Sequence, residues 1–242
     1  MKWAVLIPPL VLLPLASTVD ASSAWPRGKG KVFASVSWST WGDIIGYTEA
    51  IQEPWIDEPP ILEQTEEISF FGEFGLSDRV TVGIDNHRRA DSDIGETILF
   101  LRTNLGALDW PDKFSLQIGA GPSRDWQETE QTAYRVGFGW GRGFDTRWGG
   151  AWTDIDAKYT ALPETDTNFY KLDATIGLNT TDKAMWYLQV QSGAVDDNPA
   201  FVRLVPTYVR RIGYGMSLES ALLWGVENDE AQGVKFSAWF EF

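Results

Sequence analysis

Beyond Lys31 the apolar side chains of this chain return at every second position, and helical spacing occurs almost nowhere. An extended chain points successive side chains to opposite faces, so this pattern folds as sheet with one apolar and one mixed face. In VFASVSWS, Val32, Ala34, Val36 and Trp38 alternate with Phe33, Ser35, Ser37 and Ser39. In EEISFFGEFGL, Ile68, Phe70, Phe74 and Leu76 oppose Glu67, Ser69 and Glu73, and SDR then turns the chain into VTVGIDNH. The same test predicts strands near 96–105, 113–121, 132–143, 147–160, 168–179, 184–193, 201–211, 216–225 and 232–242. This is an all-β chain of about 12 strands of about ten residues each, the length and even number of a membrane-spanning barrel. In 201–211 the facing stays open, because Val202, Leu204 and Tyr208 compete with Phe201, Val205 and Val209 while Pro206 removes a ladder donor.

The connections alternate as well. Those after even strands are compact (LSDR, GALDWPD, FDTR, NTTDK, RIGYG), and those after odd strands are longer or more acidic, above all residues 42–66. A barrel with both termini on one side of a membrane has short turns on that side and loops on the other.

Alternation does not decide which face is inside: a soluble barrel hides its apolar face, and a membrane barrel turns it to lipid. The mixed face carries Glu73, Asp85, Arg102, Arg135, Asp154, Asp156, Lys158, Lys171, Asp173, Arg203, Glu219 and Lys235, which are the candidate lumen-lining residues. Thirteen Trp, thirteen Phe and seven Tyr favour lipid, because Trp41, Trp110, Trp140, Trp148, Trp186, Trp224 and Trp239 fall near strand ends, where indoles form girdles.

The first residues fit export. MKWAVLIPPLVLLPLASTVDASSAW has a positive Lys2, an apolar run too short and too proline-rich to span a bilayer, and small residues at two cleavage positions. Residues 1–24 read as a secretory signal peptide cut after Ala21 or after Ala24, with the barrel occupying 25–242.

Twenty Lys and Arg against 34 Asp and Glu leave a net charge of −14, which repels phosphate, so no nucleic acid partner is expected. No cysteine is present and His87 is the single histidine, which excludes thiolate chemistry and multi-His sites within one chain. No cofactor and no metal site is predicted. The acidic 42–66 loop lacks the spacing of a calcium loop and reads first as a solvated loop, with divalent-ion binding or folding inward on Trp55 as alternatives.

The chain closes on VKFSAWFEF, with Phe236, Phe240 and the terminal Phe242 alternating after Val234. With an export signal and about twelve alternating strands, this resembles Gram-negative outer-membrane β-barrel proteins of the porin-like class. The resemblance implies a single antiparallel transmembrane β-barrel in the bacterial outer membrane, in contact with the lipid bilayer and lipopolysaccharide. It also implies that Phe236, Phe240 and Phe242 form the signal read by the barrel-assembly machinery. The last strand is expected to close against KVFASVSW, because a lipid-exposed edge would leave backbone groups unpaired.

About twelve strands fall between side-chain-filled small barrels and wide porins. The expected function is a narrow channel for small polar solutes, with transport rather than catalysis as its role. Opposite charges at similar depth, such as Arg135 near Asp154 and Lys158, or Lys171 near Asp156, would align a zwitterionic or sugar-like solute. The alternative is that these charges pair and close the lumen, leaving a structural or interaction barrel. A less favoured alternative is an outer-membrane lipid hydrolase using His87 with Ser92; against it, HRR sets two cations beside the base, and Arg88 and Arg89 suit lipopolysaccharide phosphates.

Overall fold

In the computed structural model, which describes residues 23–52, 62–125 and 129–242, twelve antiparallel strands close into one barrel. They are β1 (Val32–Gly42), β2 (Gln64–Gly75), β3 (Val80–Arg89), β4 (Gly95–Leu105), β5 (Asp112–Arg124) and β6 (Glu130–Thr146), then β7 (Gly149–Leu162), β8 (Thr167–Thr181), β9 (Ala184–Val195), β10 (Phe201–Gly213), β11 (Met216–Glu227) and β12 (Gln232–Glu241). Each strand pairs with its chain neighbours, and β12 returns to β1 in the register Ala34↔Phe240, Trp38↔Phe236 and Gly42↔Gln232. Val32 and Phe242 exchange backbone hydrogen bonds of 3.0 and 3.1 Å at the end of this seam, so the last residue is paired and leaves no sheet edge.

Both described ends of the chain and the even connections lie at one end of the barrel, here the termini end. Three of those connections, at 147–148, 182–183 and 214–215, are two residues long. Tyr214 and Gly215 both have positive φ, 54° and 74°, which is the backbone a two-residue hairpin of matching twist requires. At the far end, one short helix, α1 (Ile44–Ala50), interrupts the first loop where no helical spacing was expected. Asp43 nucleates it by accepting from Gly46 N at 2.7 Å, and Ile45 N donates to Gln232 Oε1 at 3.0 Å, which ties the helix to the rim of β12. Trp55 and Glu53, Asp57 and Glu58 of the acidic loop lie outside the described residues.

The apolar face points outward. Ile68, Leu99, Ile118, Ile176 and Leu222 are all half exposed or more, with Leu99 at 62 % and Ile118 at 63 %, and Val36 is close to half exposed. A continuous apolar belt of this kind far exceeds what a soluble monomer exposes to water. Aromatic side chains bound it on both sides: Trp110, Trp148, Trp186 and Tyr214 near the termini end, and Trp38, Tyr134, Tyr170 and Trp224 toward the far end. Trp41, expected in a girdle, is instead inside, and Trp239 is inside as its parity with Lys235 and Ser237 requires. Trp41 and Trp239 share the face of Ser37 and Ser237 by strand parity, and Trp239 packs with Phe33 and Val209 in the interior. In β10 the outward set is Val202, Leu204, Pro206 and Tyr208, while Val205 and Val209 are buried inside. Pro206 costs the barrel one donor, yet its register with Leu188 continues unbroken.

Candidate functional site

The inner face holds all twelve charged residues of the mixed strand face. Their parity within the registers is inward, and several pair across an intervening strand, which only the interior permits. They form four groups rather than one ladder.

At the termini end, Glu73 of β2 stands between Arg102 of β4 (2.6 Å) and Arg27, a residue preceding β1 (2.5 Å). The side chains of Glu73 and Arg102 are each 1 % exposed. Arg27 also lies 4.6 Å above the Phe33 ring. Around this triad the lumen is packed by a buried cluster of Phe33, Val209 and Trp239 with Phe71, Met185 and Tyr187, and a second buried cluster, Ile98, Phe100, Ala133 and Leu162, fills the lumen farther toward the far end, beside Arg135. Bulky inward rings fit because glycines face them on the next strand. A Cβ at Gly177 would stand 2.1 Å from the Trp152 ring, and one at Gly83 2.3 Å from Phe100.

Farther along, Arg135 of β6 donates to Thr160 Oγ1 at 3.0 Å and to Asp85 of β3 at 2.7 Å, and pairs with Glu96 of β4. Lys158 pairs with Asp156 at 2.7 Å and Lys171 with Asp173 at 3.1 Å, each two residues along its own strand. Lys171 also lies close enough to Asp156, and Arg135 to Lys158, to interact electrostatically, as expected, whereas the expected proximity of Arg135 and Asp154 is corrected. Register sets Thr160 opposite Arg135 and places Asp154 opposite Gly141, six residues away or about 20 Å of strand. Asp154 is buried there, and Asp156 lies opposite both Gly139 and Asp173.

A third group centres on Glu219, which accepts from Tyr187 Oη at 3.0 Å and Ser237 Oγ at 3.1 Å and pairs with Lys235 at 3.0 Å. The fourth sits at the far rim, where Arg203 clasps Asp229 at 2.7 Å and lies against the rings of Trp41 and Phe201. Arg27, Glu96, Tyr187 and Asp229 were missing from the sequence-derived set. Glu96 alternates with Arg102 and was legible; Arg27 precedes the first strand, where no periodicity marks a face.

The inner wall of β8 and β9 is less tightly filled toward its far half, and its termini end, at Tyr187 and Met185, packs against the Phe33 cluster. Gln191, Gln189, Thr175, Tyr187, Asn179 and Met185 follow one another from far to termini end, all only partly buried. Gln191 Nε2 donates to Gln189 Oε1 at 2.6 Å and Gln189 Nε2 to Thr175 Oγ1 at 3.2 Å. Lys171, at 47 % exposure, opens the row, and Arg211, Ser217 and Glu241 line a cavity at its termini end with Met185 and Trp239.

His87 lies on the inner face of β3, opposite Ser69 and Glu96 in register. Ser92 is in the connection beyond, where its Oγ accepts from Ile94 N and its carbonyl from Arg88 Nε. No hydrogen bond joins His87 to Ser92 among the described residues. Arg88 pairs with Asp93, and Arg89 donates twice to Asp91, whose carboxyl is held below its ordinary range by that hydrogen bond. No group of three potential metal-ligating side chains occurs among the described residues.

This architecture is that of the outer-membrane β-barrels. The chain is similar to the COG4313 outer membrane channel from Pseudomonas putida F1, with 9% sequence identity and a TM-score of 0.56 over 93% of this chain and 100% of that one. It is also similar to the NanC porin, with 8% identity and a TM-score of 0.51 over 86% of this chain and 98% of that one. At such identities the likeness is one of fold. No family model matches the sequence, and no curated protein matches it.

Proposed function

We propose that the protein is a bacterial outer-membrane barrel that passes small polar solutes, cations in preference, along the inner wall of β8 and β9. The observation that carries this reading is the partly exposed polar row from Lys171 through Gln191, Gln189 and Thr175 to Tyr187, beside an otherwise packed lumen. A pore needs contacts weak enough to release what they bind, and neutral amide and hydroxyl groups meet that need better than buried ion pairs. Cation preference follows from charge: in the middle of the lumen Asp85, Glu96, Asp156 and Asp173 outnumber Arg135, Lys158 and Lys171, and the whole chain carries −14. Placement in the membrane is supported by the outward apolar belt with aromatic side chains along both margins. The acidic odd-numbered loops then face outward from the cell, where Arg88 and Arg89 suit lipopolysaccharide phosphates.

Planar-bilayer recording of the refolded protein tests the reading. Discrete conductance steps with a reversal potential shifted toward cations are expected across a salt gradient. Their absence over a wide salt range would refute conduction and favour the plugged structural barrel, which the triad of Arg27, Glu73 and Arg102 and the two apolar clusters support.

A further inference from the structure

The residues between the export signal and β1 do not trail from the barrel. Ser23 to Arg27 run along the inner wall of β2 to β6 at the termini end. Ser115 Oγ donates to the Ser23 carbonyl at 2.8 Å, and Asn104 Nδ2 donates to the Ala24 carbonyl at 2.5 Å. Arg102 reaches the Trp25 carbonyl at 3.5 Å, and Arg27 closes on Glu73 through Nε at 2.9 Å and Nη2 at 2.5 Å. Ala24 is completely buried, and so, nearly, are Ser115 and Asn104.

Two glycines of β6 form the recess that receives this segment. A Cβ at Gly139 would stand 2.6 Å from Ser23 Oγ, and one at Gly141 would stand 2.2 Å from the Trp25 ring and 2.8 Å from Ala24 Cβ. A side chain at either position would force these atoms to shift. A strand interior weakened by alternate glycines is otherwise hard to explain, since glycine lowers strand stability and packs nothing.

The signal offers two cleavage positions, after Ala21 and after Ala24, and the recess distinguishes them. Cleavage after Ala24 would remove the Ser23 and Ala24 carbonyls, strip buried Ser115 and Asn104 of those acceptors, and empty the space over Gly139. It would also put an α-ammonium on Trp25, the residue whose carbonyl the buried Arg102 approaches. Cleavage after Ala21 keeps every one of these contacts. We propose that export processing cuts after Ala21 and that residues 23–27 of the mature chain are a built part of the lumen wall. This rests on the export reading and the barrel, not on conduction; a barrel that passes no current leaves it standing.

The full chain, expressed in a Gram-negative host and purified from its outer membrane, is measured by intact mass and N-terminal sequencing. A mature chain beginning at Ser22 is expected; one beginning at Trp25, or an uncut chain, overturns the proposal. Independently of the host, two forms beginning at Ser22 and at Trp25 are refolded into the same vesicles and unfolded in urea. A lower midpoint for the Trp25 form is expected, together with resistance of the Ser22 form to aminopeptidase. Equal midpoints, or free trimming of the Ser22 form, would show that the segment is not part of the wall.

Discussion

Replacing Glu73 with glutamine removes one negative charge and little else, and it tests whether the interior is dry at the termini end. Glu73 accepts from Arg102 at 2.6 Å and Arg27 at 2.5 Å, and the Arg102 and Glu73 side chains are 1 % exposed while Arg27 is 7 % exposed. The variant removes the carboxylate that two guanidinium groups share in a buried, low-dielectric site. Breaking a buried ion pair costs about 3–5 kcal/mol, far more than the pair itself contributes over an apolar replacement. With a urea dependence of about 2–3 kcal/mol per molar, the unfolding midpoint should fall by roughly 1–2.5 M. The assay is urea unfolding of the protein refolded in phosphatidylcholine vesicles, followed by tryptophan fluorescence and by the gel shift between folded and unfolded forms. Adding Arg102→Met to Glu73→Gln removes one of the stranded cations and should restore more than half of the loss, which a double-mutant cycle reads as a large coupling. A Glu73→Gln midpoint corresponding to less than about 1 kcal/mol would refute the reasoning, because it would mean that water already screens the triad.

The remaining predictions address packing, assembly and selectivity. Gly177→Val should cost about 1–3 kcal/mol by the same unfolding assay, because its side chain would occupy the place of the Trp152 ring, 2.1 Å from the new Cβ. Gly150→Ala, where nothing lies within 4 Å of the new Cβ, should be near neutral and serves as its control. Deleting Phe242 removes the backbone pair with Val32 and the last aromatic of the seam, and should lower the yield of membrane-inserted barrel more than the stability of barrels that form. Normal insertion, measured as folded protein in the outer-membrane fraction, would count against an assembly role for the terminal strand. Lys171→Glu converts an exposed inner cation to an anion and should shift the zero-current potential further toward cations. An unchanged potential would place the conducting path elsewhere.

The strands were legible because period two is a local property: each residue's facing follows from its neighbour's, and β12 could be assigned to β1 from the need to pair both edges. Inward facing of Glu219 and Lys235 follows from parity alone, since Leu218, Leu222, Val234 and Phe236 occupy the other face. Where apolar residues fell on both parities, as in β10, the sequence was mute, and the structure resolved it by burying Val205 against Ala221 and Leu223. The α1 turn was missed because seven residues with one capping aspartate carry no periodicity.

The sequence by itself determined that the chain is a closed antiparallel barrel and which face of nearly every strand is charged, because alternation and edge pairing are set along the chain. Only the tertiary structure decided which charges meet. The register between strands carries Arg135 to Asp85 and Glu96 and leaves Asp154 some six residues away, and a shift of that kind leaves the alternation of either strand unaltered. The same holds for Ser23 to Arg27, whose place inside the lumen depends on glycines more than a hundred residues distant that make room for it.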